Sequence, residues 1–122
     1  MEPLFTGEEY ETRVVESLRN IKEALETEQV LMVITDVELS DEDGFSVIEQ
    51  IRRTSPIPIM VLSGRDEEAA KIKAFRNGAD DYVVYPCSPL ELLARVKAHI
   101  RRCKQLSGSP FGAGKVYVAA WG

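Results

Sequence analysis

The sequence holds only two cysteines, Cys87 and Cys103, and one histidine, His99. The two cysteines have no metal-ligand spacing and make no disulfide framework, so a reduced cytoplasmic protein is the simplest reading. It also lacks any excess of positive charge: 15 Lys+Arg stand against 20 Asp+Glu, a net charge of -5. Binding nucleic acid unaided needs a basic footprint, so no direct nucleic-acid partner is expected. The basic stretch His99-Ile100-Arg101-Arg102-Cys103-Lys104 suits the C-terminal turn of a helix, where cations complement the helix dipole. No apolar run is long enough to cross a bilayer, and the first residues carry neither the basic nor the apolar part of a signal peptide. No membrane partner is expected. Internal repeats and a second domain are also missing.

What is present suits one compact domain. The chain has 122 residues, 44% of them hydrophobic, and a chain of this size buries roughly two-thirds of its unfolded surface. Strand and helix signals alternate. Val30–Thr35 is a continuous apolar run of the kind found in strands covered on both faces. Phe45, Val47, Ile48 and Ile51 recur at helical spacing, and Thr54-Ser55-Pro56 ends that helix. Residues 57–63, IPIMVLS, read as a second buried strand. Residues 66–78 read as a helix, acidic at its start and stopped by Gly78. A third strand is expected at 81–85. Ser88-Pro89-Leu90-Glu91 is a capping box with proline at the first helical position, and its helix turns Leu93, Val96 and Ile100 inward. This order predicts an α/β fold: a flavodoxin-like, doubly wound parallel sheet of four to five strands with helices on both faces.

The two ends allow more than one arrangement. Tyr10, Val14, Leu18, Ile21 and Leu25 fit one long helix. The favoured alternative is a strand over 12–17, Ser17 as an N-cap and a helix over 18–28, which leads into Val30–Thr35 as a βαβ unit. Residues 1–104 would form the main body. After Cys103 a Gly/Ser/Pro-containing linker leads to KVYVAAWG, so 105–122 reads as a linker and a strand-like tail.

In open α/β sheets, ligands bind beyond the carboxyl ends of the strands. Asp36, Ser63 and Tyr85-Pro86 stand at three such ends and should converge. A carboxylate, a hydroxyl and the acidic turn Asp41-Glu42-Asp43 around one point suit phosphoryl transfer to Asp36. That turn suits helix capping as well as metal binding.

The motifs VITDVELSDEDGF, PIPIMVLSGR, FRNGADDYVVYP and SPLELLARVKAHIRR, in this order, resemble the receiver domain of two-component response regulators over residues 10 to 102. The resemblance implies a five-stranded parallel sheet in the order 2-1-3-4-5. It identifies Asp36 as the phospho-acceptor, Glu38 as the residue whose backbone carbonyl joins Asp36 in binding Mg²⁺, Ser63 as the switch hydroxyl and Tyr82 as the switch aromatic. Pro86 matches the proline after the family's invariant lysine, where the peptide bond is usually cis. It implies a sensor histidine kinase or an output protein as partner, and no enzyme activity beyond self-phosphorylation.

Two departures stand out. The lysine position holds Tyr85, and a phenol carries no positive charge at neutral pH. Only 35 residues precede Asp36, where two strands and two helices at ordinary lengths need roughly 50. The family's first strand and helix, with the acidic pair that holds Mg²⁺, are therefore expected to be missing, and Mg²⁺ binding to be weak or absent. KVYVAAWG could fill the central place, which would put Ala120 and Trp121 at the acidic pair. It could instead pair with another molecule in a strand-swapped homodimer, or form a disordered tail. The leading expectation is a receiver with impaired phosphorylation. Beside it stand a pseudo-receiver acting by protein–protein contact, a truncated or permuted fragment, and a haloacid dehalogenase-type phosphatase. The last would want an Asp two residues after Asp36, where this chain has Glu38.

Overall fold

The computed structural model describes residues 10–15, 18–27, 30–36, 44–107 and 114–119. Five strands and four helices alternate: β1 (Tyr10–Val15), α1 (Leu18–Thr27), β2 (Val30–Thr35), α2 (Gly44–Thr54), β3 (Ile59–Ser63), α3 (Glu68–Asn77), β4 (Asp81–Val84), α4 (Pro89–Ser107) and β5 (Gly114–Ala119). Every pairing is parallel, and the sheet order is β1-β5-β2-β3-β4. The first strand therefore lies two residues earlier than the 12–17 reading, and the single long helix through Tyr10–Leu25 is excluded. Strands β3 and β4 are shorter than the apolar runs suggested. Ile57 and Pro58 precede the ladder, and Tyr85 follows it.

β5 lies inside the sheet, between the edge strand β1 and β2. It pairs with β1 from Tyr10↔Gly114 to Val15↔Ala119, and with β2 up to Thr35↔Ala119. The β2·β5 register shifts between Val30 and Met32, so Leu31 is an extra residue in the ladder, as in a β-bulge. Val116 and Val118 are buried. A disordered tail is thus excluded for 114–119.

Two apolar layers sandwich the sheet. On one face Ile21 and Ala24 of α1, Phe45, Val47, Ile48 and Ile51 of α2, and Ala70 and Ala74 of α3 pack on Val33, Ile59 and Val61. On the other, Leu92, Val96 and Ile100 of α4 pack on Leu31, Met32, Ile34, Met60, Val83, Val116 and Val118. Covering on both faces explains why β2 and β3 read as unbroken apolar runs rather than alternating ones. Each fully buried Ile or Leu contributes about 1.5–3 kcal/mol over its exposed state. In α4, Leu92 is more deeply buried than Leu93, which only flanks this layer.

The helix ends follow the chemistry of their residues. Ser88 Oγ accepts the Glu91 amide at 3.3 Å, the N-terminal cap of α4. Gly78 ends α3 at φ 120°, a conformation that only glycine adopts without strain. Arg52, on the last turn of α2, then ties two loops together. It donates to the carbonyls of Ser55 (3.1 Å), Ile57 (2.8 Å) and Gly78 (2.8 Å), and to Asp80 Oδ2 at 2.7 Å. Asp80 Oδ2 also accepts the Ile59 amide at 2.8 Å. This clamp sets β3 and β4 in register from the end of the sheet opposite the candidate site.

Candidate functional site

Because all strands run parallel, their carboxyl ends share one edge, and β2, β3 and β4 bring Asp36, Ser63 and Tyr85 to it. Asp36 follows Thr35, which is 1% exposed. The Thr35 hydroxyl donates to the Asp36 carbonyl at 3.1 Å, which fixes the backbone that carries the carboxylate. Asp36 itself is half-buried at the mouth of the edge.

Ser63 is fully buried. Its carbonyl accepts the Tyr85 amide at 2.9 Å, so the strand ends of β3 and β4 are locked together. Its Oγ accepts the Arg65 amide at 3.1 Å. Ser63 is therefore a turn-forming hydroxyl and does not cap α3, whose N-cap is Glu67. Tyr82 packs its ring against the α1–α3 layer, and its hydroxyl donates to the Arg65 carbonyl at 2.8 Å. Residue 65 is thus held on its amide by Ser63 and on its carbonyl by Tyr82, which couples two strands through one peptide segment. The Arg65 side chain turns to Glu67 at 3.0 Å.

Tyr85 stands at the position that the resemblance gives to a lysine. Its ring lies beside Gly64: a Cβ added there would meet the Tyr85 ring at 3.5 Å. The Tyr85 hydroxyl is 3.4 Å from Asp36 Oδ2. That is well beyond the usual 2.7–2.8 Å for an O–H···O bond, so the contact is weak. The Tyr85–Pro86 peptide bond is cis. Tyr85 thus reaches the carboxylate and is still 46% exposed.

The resemblance implies Mg²⁺ at this edge. A Mg²⁺ site takes one or two carboxylates and otherwise oxygen ligands at near-octahedral geometry. Among the described residues no group of three or more His, Cys, Asp or Glu could hold a metal. The strand beside Asp36 supplies no carboxylate, because residues 114–122 contain no Asp or Glu. The described part of the site does not fit the metal. Glu38 and the 41–43 turn lie outside the described residues, as do Ala120 and Trp121.

Sequence reasoning missed a second polar cluster, between β4 and α4. Asp81 accepts from Arg95 at 3.1 Å and lies 3.0 Å from His99 Nε2. His99 is therefore engaged and only 20% exposed. Burial alone pushes the Asp81 carboxyl upward. Hydrogen bonds from His99, the Tyr82 amide and Arg95, with the Arg95 charge, outweigh it and hold the carboxyl below its ordinary value. The only available signal was the i, i+4 spacing of Arg95 and His99, which puts both on one helix face.

Comparison with known proteins then places the chain. A family model described as the response regulator receiver domain matches residues 1–97, which leaves β5 outside the match. The chain is 43% identical over 90 residues to the regulatory protein VanR of Enterococcus faecium, covering 71% of this chain and 39% of that protein. It is 47% identical over 73 residues to the uncharacterized transcriptional regulatory protein YclJ of Bacillus subtilis, covering 60% and 32%. The chain thus spans about a third to two-fifths of the length of these relatives. Among solved structures it is similar to the receiver domain of the TMAO respiratory system response regulator TorR. That match has a TM-score of 0.76 and 32% identity, and covers 83% of this chain and 84% of the other. A signal receiver domain from Vibrio parahaemolyticus, at TM-score 0.78 and 21% identity, covers 90% and 85% and supports the fold. This chain belongs to the receiver-domain family of two-component response regulators.

Proposed function

We propose that this chain is a receiver in which Asp36 keeps the phospho-acceptor position while Mg²⁺-dependent phosphorylation is impaired, so that it signals mainly by protein–protein contact. One observation carries the reading: the strand beside Asp36 is β5, with Thr35 paired to Ala119, and it brings no carboxylate. Tyr85 in place of a lysine removes a second source of charge. Preorganised charge is usually the largest single catalytic term in such a site. Losing both the metal ligands and the cation therefore slows phosphoryl transfer.

In this reading residues 1–104 form a receiver body completed by 105–122. Ser63 is the switch hydroxyl and Tyr82 the switch aromatic. The partner is a sensor histidine kinase or an output protein in the cytoplasm, met through the surface formed by Tyr82 and α4. The receiver itself is not an enzyme. Among the described residues no helix is long and apolar enough to cross a membrane, which is compatible with this placement.

A Mg²⁺ titration by calorimetry, with Asp36→Asn alongside, tests the reading. The expected result is the same trace for both proteins up to millimolar Mg²⁺. A saturable site in the native chain that Asp36→Asn abolishes would overturn it.

A further inference from the structure

We propose that the slot between β1 and β2 is a strand-binding site that a second copy of this chain can fill with its own residues 114–119, giving a reciprocal strand-exchanged dimer. The topology sets this up. Among the described residues β1 pairs with no strand but β5, and β5 pairs on both sides. Without β5, β1 and β2 would each face the slot with a row of unpaired amides and carbonyls, a costly state that recruits another strand.

The slot is specific in what it accepts. It takes a strand parallel to both neighbours and buries two valines, Val116 at 0% and Val118 at 4% exposure, against α4 and β2. The segment that meets all of these demands residue for residue is β5 of another copy. β5 reaches its slot from α4 through the six residues 108–113, Gly-Ser-Pro-Phe-Gly-Ala. The closed and exchanged forms contain the same ladders and the same buried valines. Only the path of this hinge and the cost of association differ. A tethered strand competes at an effective concentration in the millimolar range. The closed monomer therefore prevails in dilute solution, and exchange grows with concentration or when the hinge is too short to fold back.

Crosslinking in register tests this on the full chain. In a background of Cys87→Ser and Cys103→Ser, one copy carries Glu11→Cys and another Lys115→Cys, which are register partners. The two are mixed near millimolar concentration, unfolded and refolded together, diluted, and treated with a short bismaleimide. A third protein carries both substitutions and reports the closed form. A fourth mixture repeats the experiment with residues 109–112 deleted, which shortens the hinge by ~13 Å.

The expected result is a crosslinked species of twice the chain mass in the mixture. Its yield should rise with the refolding concentration, and it should dominate after the deletion. An internal crosslink in the double variant with none between chains, in either hinge length, would overturn the proposal. So would the absence of any crosslink in all samples, because β5 would then not occupy the slot at all.

Discussion

The Tyr85 hydroxyl lies 3.4 Å from Asp36 Oδ2, so the Asp36 carboxylate faces a phenol, which brings no positive charge to it. At that length the bond contributes little. Tyr85→Phe is predicted to change the unfolding free energy by less than about 0.5 kcal/mol. Urea denaturation of the two proteins checks this. A loss of several-fold that size would mean that the phenol anchors the loop.

The Arg52 clamp is predicted to matter far more. Arg52→Ala leaves the Ser55, Ile57 and Gly78 carbonyls and Asp80 without this donor, at a cost of about 2–3 kcal/mol. Arg52→Lys should fall between, because a single ammonium cannot fork to several acceptors. The urea midpoint should fall with an unchanged m-value.

The two described loop glycines that adjoin the clamp and the site should behave oppositely. A Cβ on Gly64 meets Tyr85 at an ordinary 3.5 Å, whereas one on Gly78 lies 2.9 Å from Arg52 Cγ at a φ of 120°. Gly64→Ala is predicted to be neutral within about 0.5 kcal/mol. Gly78→Ala should cost about 1–3 kcal/mol. Thermal melts of both variants decide it.

Asp81 gives the fold an acid-sensitive tie. Its carboxyl is held below the ordinary range in the folded chain. Its share of stability is therefore complete above the unfolded value near ~3.9 and is lost as pH falls through the lower folded value. Asp81→Asn should be less stable at neutral pH, and the gap to the native chain should narrow at the acid end. Chemical denaturation from pH 7 down to the acid transition measures both effects.

Most of the fold was legible because burial on both faces writes itself into sequence. Val30–Thr35, the Phe45/Val47/Ile48/Ile51 period, Gly78 and the Ser88 cap all announce local structure. The strand ends were less clear, since Ile57, Pro58 and Tyr85 have strand-like character but lie outside the ladders. The place of β5 follows from non-local pairing, on which local propensity is silent; the sequence could only leave several fates open for it. Asp36, Ser63 and Tyr85 could be placed at one edge from topology alone. The link from Ser63 to Tyr82 through Arg65, and the Asp81–His99 tie, depend on distances between side chains and backbone that periodicity does not carry.

Asp36 is expected to sit in an inefficient phosphorylation centre. Intact mass after incubation with acetyl phosphate and Mg²⁺, for the native chain and Asp36→Asn in parallel, decides this. No one-phosphoryl gain is expected in either protein on a time scale at which an ordinary receiver labels fully. A rapid gain in the native chain that is missing from Asp36→Asn would contradict it.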